Sequence, residues 1–248
     1  LLGWAFDGYE NISMFNNVAE NVLKNSYATG NITDCYNRCG GLVGHTEFLE
    51  LSDSYATGKV ENINETNSTS AEAGGLIGRQ YGGTTTNCYA TGAVSGNRNN
   101  IGGLIGTLIG GKLSDSHATG AVTSEKANLG GLIGYETQSE VTNVYAEGKV
   151  SGTTQDAVRV GGLVGQPDGT YTKVYAKGDV SGANEIGGIF GGNNGGSLTT
   201  CAAFGNVNAL DDTGIAVGGI GGRCGNRINI TNCSAYGDVK GQSAVGAA

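Results

Sequence analysis

Residues 101–122 read IGGLIGTLIGGKLSDSHATGAV, and this stretch contains both phrases from which the chain is built. The first phrase is Gly-Gly-Leu-Ile/Val-Gly, and the second is Tyr-Ala-Thr-Gly-x-Val, here with His in place of Tyr. The first phrase begins at Gly40, Gly74, Gly102, Gly130, Gly161, Gly187 and Gly218. The second phrase begins at Tyr27, Tyr55, Tyr89, His117, Tyr145, Tyr175, Ala202 and Ser234. Repeats of this size are typical of solenoids, in which each repeat forms one coil.

Residue types indicate strands rather than helices. The Ala of the second phrase recurs after 28, 34, 28, 28, 30, 27 and 32 residues, and the chain contains 47 Gly, which disfavour helices. Around each Ala, small or apolar residues alternate with polar or aromatic ones, which is the two-residue period of a strand. We therefore predict an all-β fold, a β-solenoid (parallel β-helix-like) of about eight coils of 27–34 residues. It would form a single repeat domain over 1–248, as a segment or subunit of a longer array.

The interior of this solenoid is expected to be thin. Ala, Ser, Cys and Gly cannot fill a wide core, so two sheets should approach closely, with Gly-Gly-Leu-Ile-Gly as the opposing strand. Ala118 is then buried between Ala90 and Ala146 of the neighbouring coils. Adjacent residues of a strand point to opposite faces, so one of Leu104 and Ile105 should lie outside the main interior.

A corner is predicted two residues before each Tyr position. Most copies have Asn or Asp there, which tolerate left-handed backbone and can stack in side-chain ladders. The column contains Asn25, Asp53, Asn87, Asp115, Asn143 and Asn232, with Lys173 and Thr200 as exceptions. Calcium binding is the alternative interpretation, but the dense Gly-Gly-x-Gly-x-Asp pattern of calcium-binding solenoids is missing.

Cysteines and glycosylation sequons indicate an oxidising, extracellular environment. One candidate disulfide joins Cys35 and Cys39. Cys201 and Cys233 occupy one column in successive coils, about 5 Å apart at Cα, and are a second candidate pair for which Cys224 competes. Isolated buried thiols are the alternative. The Asn-x-Ser/Thr sequons, which are candidate glycosylation sites, lie at Asn11, Asn31, Asn64, Asn67, Asn229 and Asn232.

The succession of the two phrases resembles the GLUG repeat family. The second phrase reaches its Ala 15 to 17 residues after each Gly-Gly, and the pattern matches at seven Gly-Gly sites over nearly the whole chain. The copies at Gly187 and Gly218 are the weakest. Such repeats occur in large bacterial surface and secreted proteins, including regions of IgA-specific metallopeptidases. The resemblance implies a non-catalytic scaffold outside the cell, and it supplies no catalytic residues.

Composition and motifs narrow the class of function. The formal net charge of −8 argues against nucleic acid or an anionic membrane surface as partner. No apolar run approaches the roughly 20 residues of a membrane span. The chain has no His-Glu-x-x-His, Gly-x-Ser-x-Gly or phosphate-loop motif, so we expect no enzyme, cofactor or metal.

Two rival functions remain open. One is a carbohydrate-binding or polysaccharide-cleaving β-helix, for which Asp211 and Asp212 are the nearest carboxylate pair. The other is ice binding by an outward threonine column, which lacks a second parallel column. That column contains Thr29, Thr57, Thr91 and Thr119.

The sequence therefore predicts a non-catalytic extracellular or cell-surface β-solenoid with a structural or adhesive role. The segment beginning at Ala244 matches the start of the Ile/Val-Gly-Gly-Leu phrase, and Leu1-Leu-Gly3 matches its close. This match predicts self-association end to end into a filament, since a head-to-tail contact that does not close gives an open polymer. Host-surface or matrix glycans are further candidate partners.

Overall fold

The computed structural model of the chain describes residues 2–5, 21–62, 71–210, 215–225, 228–241 and 243–246. Its strands form four parallel sheets, and each coil passes through the four sheets once. We number them sheets 1 to 4 in the order in which one coil passes through them, starting with the strand that ends at the first Gly of Gly-Gly. The described residues form no helix. The predicted β-solenoid is therefore confirmed.

Sheets 1 and 2 lie on either side of the Gly-Gly turn, and each contains eight described strands. The strands of sheet 1 are Arg38–Gly40, Glu72–Gly74, Ile101–Gly102, Leu129–Gly130, Val158–Gly161, Asn184–Gly187, Ile215–Gly218 and Ser243–Gly246. The strands of sheet 2 are Leu2–Ala5, Val43–Glu47, Ile77–Tyr81, Ile105–Ile109, Ile133–Thr137, Val164–Gln166, Phe190–Gly192 and Gly221–Arg223.

Sheets 3 and 4 contain the Tyr-Ala-Thr-Gly-x-Val phrase. In sheet 3 the first four coils contribute two short strands each, and the later coils one long strand each. Its strands are Asn21–Lys24, Tyr27–Ala28, Leu49–Ser52, Tyr55–Ala56, Thr84–Thr86, Tyr89–Ala90, Lys112–Ser114, His117–Ala118, Glu140–Ala146, Thr170–Ala176, Ser197–Ala203 and Asn229–Ala235. The strands of sheet 4 are Ile32–Cys35, Val60–Asn62, Val94–Gly96, Val122–Ser124, Val150–Gly152, Val180–Gly182, Val207–Ala209 and Val239–Lys240.

Equivalent residues of successive coils lie directly above one another. Ala118 pairs with Ala90 on one side and with Ala146 on the other, and it is fully buried. The register predicted from the alanine column is therefore confirmed. Since parallel strands lie about 4.8 Å apart, eight coils form a stack roughly 40 Å long.

The two glycines of Gly-Gly have different packing roles. A Cβ on Gly102 would lie 2.7 Å from the backbone N of Gly134, so sheets 1 and 2 pack with their backbones in contact. A Cβ on Gly103 would lie 3.0 Å from the Cβ of Ala118. The alanine column is therefore small because the second glycine column packs against it.

The Gly-Gly-Leu-Ile-Gly phrase is a turn between two sheets and not the single strand that we predicted. The sheet 1 strand ends at Gly102, Gly103 and Leu104 form the turn, and the sheet 2 strand begins at Ile105. Leu104 and Ile105 are both 0% exposed and belong to the same core. The prediction that one of them lies outside the interior is wrong, because side chains alternate only within a strand.

Two hydrophobic cores run along the stack. The larger lies between sheets 2 and 3 and includes Leu104, Ile105 and Ala118. The second lies between sheets 1 and 4 and includes Val122 and Ile101.

The predicted corner in sheet 3 is confirmed. All eight residues of its column have a positive φ between 50° and 60°, including the exceptions Lys173 and Thr200. The side chains form a ladder at two steps: Asn87 Nδ2 donates to Asp53 Oδ1 at 2.7 Å, and Asn143 Nδ2 donates to Asp115 Oδ1 at 2.6 Å.

Replacing Thr200 with Asn should stabilise the protein by about 1 kcal/mol. Thr200 has a φ of 60°, where a β-branched side chain is strained and Asn is tolerated. Thr199→Asn is the matched control, because Thr199 lies in the same strand outside the corner column. Thermal unfolding of both variants checks this expectation, and a Thr200→Asn variant no more stable than Thr199→Asn would contradict it.

Candidate functional site

The outer face of sheet 3 presents a ladder of stacked aromatic rings, which we call the aromatic ladder. It consists of Tyr27, Tyr55, Tyr89, His117, Tyr145 and Tyr175. The centroids of successive rings are 5.2, 4.8, 5.3, 4.6 and 4.9 Å apart, with interplanar angles of 2° to 9°. Ring faces inside the ladder therefore cover one another, and the ring edges point outward. A sugar needs an open ring face for stacking, which an interior ring of this ladder does not offer.

The aromatic ladder ends at Tyr175, because Ala202 and Ser234 follow it in the column. In the last two coils the aromatic rings move to the former threonine column, where Phe204 and Tyr236 stack at 5.1 Å. In the two preceding coils the former threonine column contains the charged residues Glu147 and Lys177, which form an ion pair with 2.6 Å between Lys177 Nζ and Glu147 Oε1. The repeating threonine surface considered for ice binding therefore covers four coils.

His117 is enclosed by two tyrosine rings of the ladder. Its ring centroid lies 5.3 Å from that of Tyr89 and 4.6 Å from that of Tyr145. Burial lowers the pKa of His117 below its ordinary value of 6.5, and the nearby Glu147 carboxylate opposes this shift. The neutral imidazole is therefore the form that the folded state favours.

We expect the His117→Tyr variant to lose less stability in mild acid than the wild type does. As the pH falls through 6.5, His117 is protonated in the unfolded chain before it is protonated in the folded protein. The free energy of unfolding therefore decreases until the pH passes the lowered pKa that His117 has in the folded protein. Tyr does not titrate in this range and continues the ladder. Melting temperatures between pH 7.5 and 5 check this expectation. The decrease should be smaller in the variant than in the wild type, and equal decreases would contradict it.

The first two cysteines of the chain are oxidised, and the later cysteines of the described residues are thiols. Cys35 and Cys39 form a disulfide with their Cα atoms 6.0 Å apart. Cys201 pairs in register with Cys233, as predicted, but both are free. In-register residues of parallel strands keep their Cβ atoms near the strand spacing of about 4.8 Å, beyond the roughly 3.5–4.5 Å of a disulfide. The candidate Cys201–Cys233 bond is therefore not formed, and Cys224 is an exposed free thiol.

Three of the candidate glycosylation sites lie in the described part of the chain and are exposed. Asn31 precedes sheet 4 in the first coil, and its Oδ1 accepts a hydrogen bond from the backbone N of Lys59 at 2.9 Å. Asn229 and Asn232 lie on the last strand of sheet 3. Asn11, Asn64 and Asn67 lie outside the described residues, as do Asp211 and Asp212. Glycosylation and the carboxylate pair remain predictions.

Charged side chains meet between sheets 1 and 2, and we call this group the charged seam. The sequence analysis did not predict it. Its members are Arg38, Glu72, Arg79, Arg159, Glu185 and Arg223. Glu72 is 3% exposed, with Arg38 Nε at 3.5 Å and Arg79 Nη1 at 3.2 Å. Burial raises the pKa of Glu72, and the two guanidiniums oppose the shift. Farther along the seam, Glu185 lies 3.2 Å from both Arg159 and Arg223. One sequence signal could have predicted the charged seam: a charged residue lies two positions before Gly40, Gly74, Gly161 and Gly187.

A second buried carboxylate, Glu136, lies in the larger core. Its oxygens accept hydrogen bonds from the backbone N of Ser139 at 2.6 Å, the backbone N of Asp168 at 3.0 Å and the hydroxyl of Tyr171 at 2.9 Å. Burial raises the pKa of Glu136. Raised carboxylate pKa values also occur in catalytic acids. Glu136 is fully enclosed and hydrogen-bonded to its own coil and the next, so its role here is to tie the two coils together.

Metal-ligand clusters and membrane-spanning helices were also considered. Within the described ranges, no group of three or more His, Cys, Asp or Glu side chains is arranged to hold a metal ion. In that same part of the chain, no helix has the length and apolar character needed to cross a membrane.

Comparison with known protein families finds a match to three segments of the chain. The model of the GLUG motif matches residues 69–95, 97–123 and 127–151. Each matched segment corresponds to one coil, beginning just before a sheet 1 strand and ending in sheet 4. No curated protein and no solved structure matches the chain.

Proposed function

Because this chain carries GLUG repeats and folds as a β-solenoid, we propose that it is a non-catalytic structural rod of an extracellular or cell-surface protein. In this proposal rods join end to end, and the partner is a second copy of the chain. An adhesive role would follow from the same architecture, since a stiff array holds its outer faces away from the cell.

The aromatic ladder is the observation that carries this proposal. Over the first six coils, the ring of each coil stacks on the equivalent ring of the next, as Tyr145 does on Tyr175, and corner side chains bond at two steps, as Asn143 does to Asp115. Surface groups are thus used to hold coil on coil. Such repetition favours a stiff rod over a substrate cleft, because the groups are committed to one another.

Two features, the disulfide and the GLUG resemblance, support a location outside the cell, and the net charge narrows the class of partner. The Cys35–Cys39 disulfide is of a kind that persists in oxidising compartments. The net charge of −8 disfavours nucleic acid and anionic membrane surfaces as partners. The GLUG resemblance implies surface and secreted proteins.

Labelling of intact cells that express the protein tests the location. An antibody against the outer face of sheet 3 should bind without permeabilisation, and non-reducing peptide mapping of the same material should recover a Cys35–Cys39 peptide. Labelling only after permeabilisation, with six free thiols, would overturn the extracellular part of the proposal.

A glycan array separates the structural rod from the carbohydrate-binding alternative. We expect no saturable glycan binding by the purified chain, because the interior rings of the aromatic ladder cover one another. Binding that is lost in Tyr145→Ala, but kept in Thr142→Ala on the same strand, would favour a carbohydrate-binding surface instead.

A further inference from the structure

The charged seam exposes its arginines and buries its glutamates. The side chain of Glu72 is 4% exposed, against 26% for Arg79. The side chain of Glu185 is 15% exposed, against 52% for Arg223. Ion pairs on the outer face of sheet 3 expose both partners instead. The surface of the seam is therefore positive, although the chain as a whole has a net charge of −8.

The charged seam also has more hydrogen-bond donors than its carboxylates can satisfy. Four guanidiniums lie beside two carboxylates, and each guanidinium has five N–H donors against about four acceptor sites on a carboxylate. Arg159 and Arg223 both meet Glu185 through Nε, at 3.2 Å. Glu47, a further carboxylate near the first arginines, pairs with His45 at 3.3 Å. The tips of the guanidiniums thus keep donors for an additional acceptor.

The arginines form two clusters at a fixed separation. Each cluster has two arginines around one glutamate, which is Glu72 in the first cluster and Glu185 in the second. The sheet 1 strands that contain these glutamates are four coils apart. At about 4.8 Å per coil, the centres of the clusters are about 19 Å apart. A ligand that engages both clusters needs two acidic groups at this separation.

Neutral polar side chains occupy the seam between the two clusters. Thr107 and Tyr135 follow Arg79 in register along sheet 2. On sheet 1, Asn128 Nδ2 donates to Asn100 Oδ1 at 2.8 Å. These groups can form hydrogen bonds with a ligand, but they carry no charge. The middle of the seam therefore suits an uncharged stretch of ligand.

We propose that the charged seam binds an extended acidic peptide segment of a partner protein, with one acidic group at each arginine cluster. An extended peptide advances about 3.3 Å per residue, so about six residues span the distance between the clusters. Arginine is suited to this role because its planar fork binds carboxylates with two parallel hydrogen bonds. This inference adds a second partner to the structural rod and does not depend on end-to-end assembly.

The spacing of the clusters favours a peptide over an acidic polysaccharide. A polyuronate has a carboxylate on every sugar, so most of its charges would lie along the neutral middle of the seam, away from the arginines. A peptide can place its acidic residues at the two clusters only. Negative charges elsewhere on the rod do not prevent binding, because charges farther away than the Debye length of about 8 Å at physiological salt are largely screened.

Fluorescence anisotropy with two labelled peptides tests the spacing. The first peptide has two Glu-Asp-Glu triplets whose centres are six residues apart, with Gly and Ser between them. The second has the same composition with all acidic residues in one run. The spaced peptide should bind about tenfold more tightly, because only it reaches both clusters. Equal affinities would overturn the two-cluster site. Tighter binding of oligogalacturonate than of either peptide would assign the seam to an acidic polysaccharide instead.

Arg223→Gln tests whether the peptide binds at the seam. It removes the more exposed cation of the second cluster and should weaken binding of the spaced peptide about tenfold. Lys112→Gln is the matched control, because it removes the same charge from an exposed ion pair of sheet 3 and should leave the affinity unchanged. Unchanged melting temperatures show that both variants are folded. Equal affinities of the two variants for the spaced peptide would overturn the proposal.

Discussion

Gly120→Ala should destabilise the protein by at least about 3 kcal/mol, which lowers the melting temperature by roughly 6–12 °C. The new Cβ would collide with the carbonyl oxygen of Gly92 in the coil below. That atom belongs to a backbone held in register on both sides, so it cannot move away as a flexible side chain would. Thermal unfolding of dilute, unassembled protein measures the effect.

Gly30→Ala is the matched control for this prediction. Gly30 occupies the same column and the same phrase, but no described atom lies within 4 Å of its Cβ position. Its substitution should change stability by no more than about 0.5 kcal/mol. Similar losses in Gly30→Ala and Gly120→Ala would show that backbone conformation, and not the contact between coils, requires glycine in this column.

Ala118→Leu should cost about 1–3 kcal/mol, because the larger side chain overpacks a narrow part of the core. Ala118 is fully buried, and the backbone of Gly103 faces it so closely that even a Cβ there would lie 3.0 Å from the alanine Cβ. Ala90 and Ala146 occupy the same position in the two neighbouring coils, so the whole column is built for a small side chain.

Thr119→Leu provides the comparison for Ala118→Leu. Thr119 follows Ala118 directly and is only half-buried on the outer face of sheet 3. The same leucine there should change stability by no more than about 0.5 kcal/mol. Equal destabilisation by the two leucines would contradict the inward orientation of the alanine column.

The sequence allowed prediction of the features that repeat in every coil. The alanine column and the left-handed corner recur at the same positions of each repeat. The same structural requirement therefore selects the same residue types in all eight coils, and the sequence alone predicts it. Lys173 and Thr200 break the composition of the corner but not its backbone, since both have positive φ. Register with neighbouring coils therefore overrides the preference of the individual residue.

Features that depend on contacts between sheets could not be predicted in this way. The burial of both Leu104 and Ile105 follows from a turn whose position is set by backbone contact between sheets 1 and 2. Glu72 and Glu136 find their partners in other sheets or coils, and neither lies in a repeated phrase. The column shared by Cys201 and Cys233 was predicted, but a disulfide also depends on the direction of their Cβ atoms.

The most direct test of the in-register solenoid is a series of distances along one outer column. Spin labels at position 57 paired with 177, 204 or 236 span four, five and six coils, with the free cysteines replaced and the chain diluted with unlabelled protein. Electron–electron dipolar spectroscopy should give about 19, 24 and 29 Å, an increase of about 4.8 Å per coil. Distances that fail to increase by this constant step would contradict the stacked, parallel, in-register coils on which the whole account depends.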